Sequence, residues 1–136
     1  MKFPYKQIRR KPAKLKQPKH VAGEMNKTEA RFYNEFVAPL LASGEVIAYW
    51  FESITFQLAP GCRYTPDFVL QYANQELKAF EIKGRTTATL KDGSKKEKAY
   101  AQDDAIVKSK VFPQIFPIDL FVCFPSKSGA WQLEAK

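Results

Sequence analysis

Tyr33, Phe36, Val37, Leu40 and Leu41 recur at helical intervals and form one apolar stripe, the pattern of an amphipathic helix lying on a core. Asn26, followed three residues later by Glu29, reads as an N-cap with its capping-box partner, so a helix is predicted from there to about Ala42, ended by Ser43-Gly44. The period then shortens. Residues 46–51 and 54–58 are rich in aromatic and β-branched side chains and predict strands separated by Glu52-Ser53, with Pro60-Gly61 as a turn. Residues 64–70 and 77–83 predict two more strands, joined in a short hairpin around Ala73-Asn74-Gln75. Centring its loop on Asn74 sets Asp67 opposite Glu81, a pairing that a one-residue slip would move.

Beyond Gly84 the apolar pattern lapses. Residues 85–98 are polar and lysine-rich and predict a flexible loop with Asp92-Gly93 at its tip. A helix is expected from Ala99 or Gln102 to Phe112, with Ala105, Ile106, Ser109 and Phe112 toward the core, Lys108 and Lys110 on its flank, and Pro113 and Pro117 closing the region. Residues 118–124, apolar apart from Asp119, are the most apolar strand candidate and suggest a central position buried on both faces, and residues 131–133 predict a short closing edge. The order helix, strands, helix, strand predicts an α/β domain, a mixed central sheet flanked by helices.

Charge divides the chain. Residues 1–23 hold eight Lys and Arg and no acid, whereas the remaining 14 basic and 14 acidic residues balance. With Pro4, Pro12 and Pro18 and few aliphatic residues, this segment is expected to be an extended basic arm joined to a domain spanning 24–136. Such an arm suits a polyanion, and Arg9, Arg10 and Lys11 are its nucleic-acid-binding candidates, with Phe3 and Tyr5 able to stack. A solubilising tail or an arm for a membrane surface would share the composition. No apolar run approaches a membrane span and no secretory signal is recognisable, so a cytoplasmic protein is expected. Cys62 and Cys123 form no metal-ligand spacing and are expected to stay reduced. Lone His20, in the arm, is given no role.

The acids of the body carry the candidate chemistry. Alternation along a strand puts Glu81 and Lys83 on one face and Ile82 on the other. Two carboxylates at neighbouring strand positions make a hard-oxygen site suited to Mg²⁺ or Mn²⁺, which can also hold a phosphate oxygen. Lys83 would meet that phosphate and stabilise charge developing in a transition state or orient water, and Gly84 permits close backbone approach. An isolated E-x-K is commonly a solvated ion pair. Here Ala79, Phe80 and Ile82 surround the charges, and Glu29 lies on the apolar stripe, four residues before Tyr33 and seven before Phe36. Glu29 could serve as a cap or as a functional acid.

Pro66-Asp67 followed by Glu81-Ile82-Lys83 resembles the signature of the PD-(D/E)xK nuclease superfamily. The surroundings are also similar: an acid on an early helix, Tyr-Thr-Pro-Asp-Phe, Phe-Glu-Ile-Lys-Gly, and a lysine-bearing helix before an apolar strand. Over about residues 26–124 the chain looks most like small phage nucleases of the endonuclease I type, which are Holliday-junction resolvases. The resemblance implies a restriction-endonuclease-like core. It also implies Asp67, Glu81 and the Ile82 carbonyl as metal ligands, Glu29 as the helix-borne acid, Lys83 as the catalytic lysine and Lys108 as a phosphate contact. Thr86, Thr87, Lys95, Lys96 and Lys98 are groove candidates. The chain is short and has no evident substrate-reading domain.

Three function classes follow. The first is a Mg²⁺- or Mn²⁺-dependent DNA endonuclease acting on branched, duplex or single-stranded DNA; a homodimer fits a resolvase, a monomer fits nicking. The second is a non-catalytic nucleic-acid-binding protein with a nuclease-like fold. The third is an interaction protein whose tail targets RNA or an acidic partner. The set Glu29, Asp67, Glu81 and Lys83 favours the first, because a pure binder gains nothing from acids beside phosphate.

Overall fold

A computed structural model describes residues 23–136; the basic-arm residues Arg9, Arg10, Lys11 and His20 lie outside them. The chain runs α1 (Lys27–Phe32), a π-helical turn (Tyr33–Val37), α2 (Ala38–Ser43), β1 (Val46–Phe51), β2 (Phe56–Ala59), β3 (Cys62–Tyr64), β4 (Phe68–Tyr72) and β5 (Leu77–Ile82). It continues through β6 (Arg85–Thr89), β7 (Lys95–Ala99), α3 (Asp103–Ile115), β8 (Asp119–Pro125) and β9 (Trp131–Ala135). Five strands form a mixed sheet in the order β1-β4-β5-β8-β9, antiparallel except for the parallel β5–β8 pair. A parallel pair cannot be joined by a hairpin, and the chain crosses between these two strands through β6, β7 and α3.

Each face of the sheet is covered by helix. On one side Phe32 and Val37 pack with Phe68, Leu70, Phe80 and Ile82. On the other Phe112 packs with Tyr64, Val69, Ala79 and Leu120. Alternation along β4 and β5 sends successive side chains to opposite layers, and the architecture is a mixed α/β sheet between helices, as the pattern of elements predicts. No described helix is long and apolar enough to cross a membrane.

Four local readings change. The first helix widens into a π turn, with the Ala38 N–H donating to the Tyr33 carbonyl. Pro39 follows, and a proline lacks the N–H of a regular turn and crowds the carbonyl four residues back, which a wider turn relieves. The single strand expected over 64–70 is divided, because buried Pro66 has no ladder donor and bends the chain between β3 and β4. The loop expected over 85–98 is instead a hairpin, β6 paired with β7 from Arg85↔Ala99 to Thr89↔Lys95, with the turn at Asp92-Gly93. Its exposed lysines obscure a weak period-2 pattern in which Thr86 and Ala88 are the half-buried positions of β6. Pro113 does not end α3 but lies within its last turn, which Phe112 and Phe116 hold by packing their rings on Phe56.

The apolar strand β8 is second from the edge, with β9 closing the sheet, and Leu120, Val122, Cys123 and Phe124 are buried as expected of a strand covered on both faces. Trp50 and Trp131 pack against the two cores.

Candidate metal centre and its cleft

Strand register assembles the site. In β4 and β5 the pairs Phe68↔Phe80, Val69↔Ala79 and Leu70↔Lys78 are those of a hairpin centred on Asn74, so Asp67, the residue before β4, faces Glu81. On its other flank β1 pairs with β4 through Phe51↔Phe68, and the Glu52 N–H continues that ladder by donating to the Asp67 carbonyl at 2.9 Å. Asp67 thus stands between Glu52 and Glu81 at the same end of the sheet. Glu52 takes a left-handed φ of 49° as the chain leaves β1, a conformation costing of order 1–3 kcal/mol in a residue with a Cβ.

The fourth acid arrives from α1. The Asn26 side-chain oxygen accepts from the Glu29 N–H at 2.9 Å, and the Glu29 carboxylate accepts from the Asn26 N–H at 2.8 Å. This reciprocal cap orients Glu29, whose side chain is buried. Phe32, one turn on, is fully buried against Phe68 and Phe80 and anchors α1 to the sheet. The cap and a place in the acid cluster therefore coexist in one residue.

Carboxylate oxygens of Glu29, Glu52 and Asp67 lie within 4.8 Å of one another, a spacing that one small divalent cation could span with hard oxygen ligands. One Asp67 oxygen also accepts from the Ile82 N–H at 2.7 Å. Burial, then the negative charge of Glu81, push the Asp67 carboxyl up to about 8, against the lowering effects of the Ile82 N–H and Lys83. Glu81 turns to the neighbouring side of the cluster. Its Oε2 accepts from the Tyr64 hydroxyl at 2.6 Å and its Oε1 lies 3.2 Å from Lys83 Nζ. Burial and the same carboxylate hold the Tyr64 hydroxyl protonated far above its usual range.

Glu81 and Lys83 open on a cleft of about 460 Å³ between the β6–β7 hairpin, α3 and β9. Thr86, Thr87 and Lys98 of the hairpin reach it, as does Lys110 of α3, whereas Lys108 is not among its lining residues. Lys95 and Lys96 line a separate shallow depression with Leu90 and Phe124. Ile106, expected in the core, is instead exposed and lines the cleft, where the buried side of α3 is carried by Ser109 and Phe112.

The structure therefore brings Glu29 and Asp67 into one cluster and sets Glu81 and Lys83 beside it. Sequence reasoning missed Glu52, which reads as a polar break between strands; its signal is the β1–β4 register, invisible until those strands are paired. Compared with known proteins, the chain matches no family model, no curated protein and no solved structure.

Proposed function

We propose that this protein is a metal-dependent DNA endonuclease that hydrolyses phosphodiester bonds, with a restriction-endonuclease-like core of the PD-(D/E)xK type and a cytoplasmic place of action. The observation that carries this reading is the meeting of Glu29, Glu52 and Asp67 within 4.8 Å, from three separate elements, beside the Glu81–Lys83 pair. Concentrating acids in a partly buried site is unfavourable unless a cation offsets their repulsion. The all-carboxylate donor set favours Mg²⁺ or Mn²⁺ over softer metals.

When bound, such an ion polarises a phosphate oxygen and lowers the pKa of a coordinated water. The remaining work falls to the chain's own groups. Glu29, Glu52 and Asp67 would hold the ion, with Glu81 adjoining. The Ile82 N–H orients Asp67, and the Ile82 carbonyl faces the same neighbouring strand, since both backbone groups of a strand residue point to one side. Lys83, held by Glu81, meets the non-bridging phosphate oxygens, where charge grows as the pentacovalent transition state forms. Tyr64 holds Glu81 in its rotamer.

The test is incubation with supercoiled, single-stranded and four-way-junction DNA in Mg²⁺ and in chelator. Cleavage is expected only with metal and falls at least about a hundredfold, the typical scale for a lost transition-state contact, in Lys83→Ala and Glu81→Ala. Cleavage that persists in chelator, or is unchanged in both variants, overturns the assignment.

A further inference from the structure

The cleft beyond Lys83 has a composition that the metal centre does not explain. Four lysines, Lys83, Lys98, Lys110 and Lys136, line it against two glutamates, Glu81 and Glu134. Both acids are already engaged: Glu81 by Tyr64 and Lys83, and Glu134 by Lys136 at 3.6 Å. Lys98 and Lys110 have no acid within ion-pair reach among the described residues. The site therefore presents surplus positive charge from Lys98 and Lys110 in the cleft that Glu81 and Lys83 also line.

Tyr100 lines the same cleft and is 62% exposed. An aromatic ring so open to water contributes little to the core. Its backbone is nevertheless fixed, because the Tyr100 N–H donates to the Gly84 carbonyl at 2.7 Å and so closes the base of the β6–β7 hairpin directly beside Lys83. The hairpin is braced in turn by Arg85 beside Glu97 at 3.7 Å and by the Lys127 N–H donating to Glu97 at 3.0 Å. Ile106, 37% exposed across α3, adds an apolar surface.

An open ring among lysines is the arrangement used for single strands, where bases stack on aromatic side chains and the backbone follows positive charge. The cleft's volume of about 460 Å³ falls within the range of sites for compact ligands and fits one nucleotide. A paired base keeps both of its faces stacked inside the duplex and can offer none to Tyr100. We infer that this cleft binds one unpaired nucleotide of a DNA strand adjacent to the scissile phosphate, with Tyr100 stacking on the base and Lys98 and Lys110 contacting flanking phosphates. The inference rests on the nuclease reading for the position of the scissile phosphate and directs that activity to single strands and unpaired ends.

Binding and cleavage are measured separately on the full chain. Fluorescence anisotropy in chelator compares a labelled 15-nucleotide oligo(dT) with a blunt duplex of the same length over a salt series. The single strand is expected to bind about tenfold more tightly at physiological salt, Tyr100→Ala to lose about that factor, and Tyr100→Phe, which keeps the ring, to retain it. Joint replacement of Lys98 and Lys110 by Ala should reduce the slope of log K against log salt by about 1.4, at ~0.7 per phosphate contact. Equal affinity for the two DNAs, or an unchanged Tyr100→Ala variant, overturns the inference. Metal-dependent cleavage without single-strand preference also overturns it while leaving the nuclease assignment standing. Single-strand preference with the Tyr100 dependence but no cleavage supports the cleft and removes the nuclease assignment.

Discussion

The Tyr64 hydroxyl donates to Glu81 at 2.6 Å from the strand just before the Pro66 bend. A hydrogen bond this short to a carboxylate is charge-assisted, and it leaves the other Glu81 oxygen to Lys83. Tyr64→Phe removes the bond while keeping the ring packed against Phe112. The variant is expected to lose about 1.5–3 kcal/mol of stability, the range for a hydrogen bond to a charged group, and about tenfold in cleavage rate, an effect of order 1.4 kcal/mol on the barrier. Thermal melts and single-turnover cleavage read the two effects separately.

Asp67 carries the pH dependence. Its carboxyl ionises near 3.8 when unfolded and is raised to about 8 in the fold. Between these values the folded state holds more protons than the unfolded one, so this group's contribution to stability declines as pH rises from about 4 to about 8 and is level above that. In chelator, the difference in stability between wild type and Asp67→Asn should therefore move in favour of the variant across this window. One pKa unit corresponds to about 1.4 kcal/mol, so a relative gain of at least about 1 kcal/mol for the variant at pH 8 over pH 5 is expected in denaturant titrations. A constant difference between the two proteins would show that Asp67 ionises normally.

Glu52 gives the most direct test of the carboxylate cluster. If the three acids share an ion, Mn²⁺ stabilises the fold by linkage, by about 2.7 kcal/mol at a concentration a hundred times the dissociation constant, and raises the melting temperature accordingly. Glu52→Gln keeps the side-chain length and removes a charge. It should weaken Mn²⁺ at least about tenfold, the smaller effect typical of losing even an outer-shell partner. Isothermal titration with Mn²⁺ measures this without any nucleic acid present, and an unchanged affinity places the ion away from Glu52.

Phe32 links the core to the site. Its fully buried ring lies 5.4 Å from that of Phe68 and 5.1 Å from that of Trp131. Phe32→Ala should cost about 3–5 kcal/mol. Because α1 then loses its anchor one turn from Glu29, Mn²⁺ affinity should fall in the protein that remains folded. Phe32→Leu, which fills most of the space, should recover both, as read by melts with and without metal.

The Asp67–Glu81 opposition is legible in the sequence because a short hairpin relates its two strands through local geometry alone. The helix stripe around Phe36 is periodic in the chain and the run at residues 118–124 is almost wholly apolar, since burial on one face leaves a period and burial on both leaves a run. Glu52 was not readable. Its place beside Asp67 depends on β1 pairing with β4 across the intervening β2–β3 ribbon, and a long-range register leaves no periodic mark on either segment. The hairpin over Arg85–Ala99 was hidden for another reason: both its faces are largely wet, so backbone pairing holds it with little apolar alternation to announce it. The choice of Lys110 over Lys108 for the cleft was settled by the rotation of α3 on the sheet. Local periodicity identifies elements and which side of each seeks the core, whereas which charged groups meet depends on how separate elements dock, a matter of packing between residues far apart along the chain.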